Sequence, residues 1–71
     1  MNKRIIENRI TDCKTNIQLC VTRSKALQNA LVTLTNELDI KRTMGLIEET
    51  KLKQYEYELE LSDLQDSLIK D

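Results

Sequence analysis

From Ile6 to Leu38 the chain repeats apolar residues at alternating steps of four and three: Ile6, Ile10, Cys13, Ile17, Cys20, Ser24, Leu27, Leu31, Leu34 and Leu38. Ser24 is the one polar position in the run. A period of 3.5 residues lays a continuous apolar seam along an α-helix, and such a seam has to be covered by another helix. A weaker line of Ile5, Leu19, Ala26 and Ile40 runs beside it and widens the face beyond the narrow stripe of a two-stranded coiled coil. The pattern predicts an all-α protein with coiled-coil packing.

Past Leu38 the same frame meets Lys41, Gly45 and Glu48, three poor core residues, before Leu52, Tyr55 and Leu59 restore it. The only glycine of the chain sits at this break. Lys41 and Arg42 suit the last turn of a helix, and Glu48 and Glu49 suit the first turn of the next. Together these signals predict a helical hairpin, with helix 1 over about residues 3–42, a turn at about 43–46 and helix 2 over about 47–70. An unbroken helix is the competing reading, because one exposed glycine costs only about 1 kcal/mol.

A hairpin bent at Gly45 has unequal arms of about 60 Å and about 37 Å. The amino-terminal stretch carrying Ile5, Ile6, Ile10, Cys13 and Ile17 is then left without cover from its own chain. A second copy in a symmetric antiparallel dimer would hide it, as would a helix or groove of another protein. In helix 2, Leu46, Tyr57, Leu61, Leu64 and Leu68 fall on one side, while Leu52, Tyr55 and Leu59 lie nearly opposite. Two apolar sides call for two neighbours, which favours a four-helix bundle made from two hairpins. The residues expected at interfaces are Ile6, Ile10, Cys13, Ile17, Cys20, Leu27, Leu31, Tyr55, Tyr57, Leu61, Leu64 and Leu68. Of the two tyrosines, which point to different sides, one is expected in the core and the other as an anchor for a partner.

Size and composition sharpen this picture. The chain has 71 residues, enough for a single small domain, and below the length at which one core usually supplies more than about 3–5 kcal/mol. Two cysteines and no histidine exclude a disulfide framework and leave a structural zinc without ligands, so self-association is the remaining supplement. The absence of proline and tryptophan, together with 32% charged residues, suits long helices and no sheet. No apolar stretch is long enough to span a bilayer, and Met1-Asn2-Lys3-Arg4-Ile5-Ile6-Glu7 returns to charge too soon for a signal peptide, which implies a cytoplasmic protein with reduced thiols.

A net charge of −1 conceals two opposite halves. Residues 1–35 carry six cations against two anions, and residues 36–71 carry five against ten. Laid side by side, a basic helix and an acidic one attract, and two copies of the same half in parallel register repel.

Catalytic chemistry finds no foothold. Without histidine there is no Ser-His or Cys-His pair, and a thiol in an apolar seam is held protonated by desolvation. Glu56, Glu58 and Glu60 alternate by two, which on a helix spreads them over separate faces and builds neither a metal site nor an acid/base pair. No cofactor or metal is expected. Lys3 and Arg4 oppose the dipole at the start of helix 1 and so raise nucleic acid as a partner, but the chain is acidic overall and no aromatic residues interleave with its bases. A membrane surface is disfavoured by the polarity of the face opposite the seam. What these observations leave is a non-enzymatic protein that associates with itself and with another protein by helix-on-helix contacts. An adaptor or a stoichiometric inhibitor, viral or mobile-element encoded, would fit this class. The alternatives are a structural piece whose only partner is itself, and a small helical nucleic-acid binder.

Overall fold

The computed structural model describes residues 2–70 and holds two α-helices, α1 over Lys3–Thr33 and α2 over Glu37–Lys70, joined by Leu34, Thr35 and Asn36. The helices pack side by side into a hairpin measuring 53 × 14 × 12 Å. Among the described residues there is no strand.

The reversal lies ten residues earlier than the glycine suggests, and its cause is capping. Asn36 takes the N-cap position of α2: its side-chain oxygen accepts from the Leu38 amide at 2.9 Å, and its carbonyl accepts from Ile40 at 3.0 Å. Glu37 and Asp39 follow in the first turn, where carboxylates complement the positive end of the helix dipole. On the other side of the bend, Val32, Thr33 and Thr35 are β-branched and lose side-chain freedom in a helix. The Thr33 hydroxyl donates to the Ala30 carbonyl at 2.9 Å, and Leu34 leaves the helix in an extended conformation. Gly45, by contrast, sits inside α2 with ordinary helical backbone. The boundaries expected at about 42 and 47 are therefore corrected to Thr33 and Glu37, and the two arms, of 31 and 34 residues, are nearly equal.

Moving the turn resets the phase of the second helix. The positions of α2 turned toward α1 are Ile40, Thr43, Ile47, Thr50, Gln54, Tyr57, Leu61, Leu64 and Leu68, again at steps of three and four, and all are buried or half-buried. Counted outward from the turn, these nine positions run alongside the nine of the α1 seam from Leu34 back to Ile6. At the open end, Ile6, Ile10, Cys13 and Leu64 form the best-covered cluster, with Leu61 and Leu68 packed on it. Ile6 is 1% exposed. The expectation that the amino-terminal stripe would lack cover from its own chain is thereby corrected for Ile6, Ile10, Cys13 and Ile17, because an α2 of 34 residues reaches its full length, while Ile5 stays exposed.

In the middle of the hairpin the layers are small and polar. Midway along the two seams stand Cys20 and Ser24 on α1 and Thr50 and Gln54 on α2. The Thr50 hydroxyl turns back to the Leu46 carbonyl at 2.7 Å, which leaves its methyl to pack, and the Gln54 amide reaches Glu58 at 3.1 Å. Ser24 is buried, and its hydroxyl has no hydrogen-bond partner.

Candidate functional site

Eleven of the twelve residues expected at interfaces lie between α1 and α2 of one chain. Ile6, Ile10, Cys13 and Leu64 are buried; Ile17, Cys20, Leu27, Leu31, Tyr57, Leu61 and Leu68 are half-buried. Their seam therefore builds the hairpin itself. Tyr55 is the exception, at 57% exposed, and it marks the other side of α2.

On that outer side the residues that continue the first heptad frame reappear, now turned away from α1. Leu52 and Leu59 are 59% and 50% exposed and flank Tyr55 at i−3 and i+4, so the three form one contiguous patch on a helix. Leu38 and Ile69 continue the same stripe to the two ends of α2 and are also exposed. At 100° per residue the stripe lies about 155° from the seam that faces α1. Helix α2 is thus apolar on two opposite sides, as its sequence indicates, and only one of them is covered within the chain. Helix α1 has no equal: its exposed Ile5 and Leu19 stand four turns apart with Asp12 between them, and Val32 is on another side.

Charge flanks the stripe unevenly. In its amino-terminal half Lys41, Arg42, Lys51 and Lys53 are balanced by Glu37, Asp39, Glu48 and Glu49, whereas its carboxy-terminal half carries Glu56, Glu58, Glu60, Asp63 and Asp66. All of these side chains are exposed.

Two shallow grooves run along the join of the helices, of about 290 Å³ and 270 Å³. The larger opens beside the small central layers, with Cys20, Arg23, Lys53 and Tyr57 on its walls. Among the described residues no group of histidine, cysteine, aspartate or glutamate is placed to hold a metal ion, and no helix is long and apolar enough to cross a membrane.

Cys13 and Cys20 are both free thiols. They lie two turns apart on one face of α1, about 10 Å, too far for a disulfide between them. Burial pushes the Cys13 thiol above its ordinary value, and the neighbouring Glu60 carboxylate adds to the shift by charge and by hydrogen bonding. The thiol is protonated at neutral pH and serves as a small core side chain.

Comparison with protein-family models, curated proteins and solved structures finds no match to this chain.

Proposed function

We propose that this protein is a non-enzymatic helical interaction module, which engages another helix through the outer face of α2. The observation that carries this reading is the exposure of Leu52, Tyr55 and Leu59 as one patch on a helix whose opposite side is already packed. A coiled-coil seam turned to water gains by meeting a second seam, and a tyrosine at its centre offers a large contact area at low entropic cost. Self-association and capture of a partner protein both use this chemistry. An adaptor or stoichiometric inhibitor fits such a surface, and so does a purely structural homo-oligomer. The reading as a nucleic-acid binder is weaker, since the carboxylates of α2 outnumber its cations and repel phosphate.

The test pairs solution mass with co-purification, comparing the native chain with a Leu52→Asp/Leu59→Asp variant. Both positions are exposed, so the hairpin survives and its helical circular dichroism is unchanged. The native chain is expected to form a dimer or retain a partner that the variant loses. Indistinguishable behaviour of the two chains in both assays would overturn the reading.

A further inference from the structure

We propose that the outer stripe of α2 seats on the same stripe of a second copy, antiparallel, about a two-fold axis passing between Lys53 and Gln54. This deepens the reading above and rests on it. The stripe carries, in order, Leu38, Lys41, Gly45, Glu48, Leu52, Tyr55, Leu59, Ser62, Asp66 and Ile69. Folded back on itself about that axis, it is self-complementary. Leu52 meets Tyr55 of the second copy at the centre, and Leu38 meets Ile69 at each end. Lys41 meets Asp66, and Gly45 meets Ser62, a pair of small residues that lets the backbones approach. Only Glu48 opposite Leu59 is an indifferent match, and a long carboxylate side chain can reach water at the edge of the seam.

Neighbouring registers lack this agreement. Sliding by one heptad in one direction sets Gly45 against Tyr55 and Lys41 against Leu59; in the other it sets Glu48 against Asp66. A parallel pairing is worse, since it would stack Lys41, Glu48 and Asp66 each on its own copy. The charges beside the seam favour the same arrangement: Lys51 falls next to Glu58 of the second copy and Arg42 next to Asp63, against one unfavourable approach of Glu49 to Glu56. An isologous contact of this kind makes each pairing twice.

Surface area points the same way. The hairpin exposes 5657 Å², against roughly 4600 Å² for a compact monomer of its mass. The excess is on the order of the 800 Å² that each partner contributes to a standard interface. Because the two apolar sides of α2 are opposite, the dimer is a flat row of four helices, α1 and α2 followed by α2 and α1 of the second copy.

Lys41 and Asp66 provide the test. Both are exposed, and 25 residues along one helix place them about 37 Å apart, so they have no contact within a chain. Sedimentation equilibrium at low salt on the native chain, Lys41→Glu, Asp66→Lys and the double variant reads the register directly. The native chain is expected to be dimeric at micromolar concentration. Each single reversal turns two attractions into repulsions and should raise Kd about tenfold, and the double variant should return to within about twofold of native. A monomeric native chain, or a double variant weaker than either single, overturns the proposal. If the native chain is monomeric but still loses a captured partner on Leu52→Asp/Leu59→Asp substitution, this pairing fails while the interaction reading stands.

Discussion

Three polar or small side chains in the α1–α2 seam have different fates, and each leads to a measurable consequence. Thr50 satisfies its hydroxyl on its own helix, whereas buried Ser24 leaves its oxygen without a partner. An unsatisfied hydroxyl costs about 1–3 kcal/mol, and alanine is the better helix former. Ser24→Ala should therefore stabilise the hairpin by about 1 kcal/mol in denaturant unfolding. Cys13 contributes through its proton. Its folded-state pKa is raised from 9.0, so the native state holds the proton more tightly than the unfolded chain, and the associated stability is present below that value and declines as pH rises through the folded pKa. Native protein should lose thermal stability as pH rises above 9.0 more steeply than Cys13→Ala, in which this linkage is absent. Equal slopes would show that the thiol does not titrate in this way.

At the level of elements, the decisive contest was between Gly45 and Asn36. Glycine in a helix interior costs about 1 kcal/mol, a sum that continuous packing against α1 readily exceeds, whereas an N-cap asparagine with two carboxylates behind it starts a helix actively. A Cβ added at Gly45 meets nothing within 4 Å, and its backbone is helical. Gly45→Ala is expected to raise stability by about 0.5–1 kcal/mol, and Asn36→Ala to lower it by about 1 kcal/mol, both measured by urea unfolding. A turn at Gly45 would reverse both signs. The capping signal was present in Thr35-Asn36-Glu37-Leu38-Asp39. It was masked because Leu34 and Leu38 keep the apolar period across the bend, so periodicity alone runs through it.

For the whole molecule, two seams divide the labour. One closes the hairpin over its full length, with oppositely charged helices side by side; the other faces outward along α2. A buried charge at the open end of the inner seam should be far more damaging than one on the outer stripe. Ile10→Asp places an unpaired carboxylate in the best-covered cluster and is expected to cost more than 4 kcal/mol, enough to unfold a chain of this size, seen as loss of helical circular dichroism. The corresponding change at Leu59 should leave the hairpin folded and alter only its associations. The proposed four-helix assembly would by the same geometry be a flat row, because the two apolar sides of α2 are opposite and not adjacent.

The heptad spacing from Ile6 to Leu34, the all-helical class and the two-sided character of α2 are properties of residue order, since each depends only on which side chains fall on one face of a regular helix. Where the chain reverses, and hence which of the two sides of α2 is covered, was decided by tertiary packing. Thr43, Thr50 and Gln54 are poor core residues by type, and Thr50 is buried and the other two half-buried because they share with Ile40, Ile47, Tyr57 and Leu61 the face that an asparagine-capped turn directs toward α1. The more apolar set of Leu52, Tyr55 and Leu59 was left outside by the same rotation. A turn of three residues sets the phase of everything after it, and the local pattern of apolar residues carries no record of that choice.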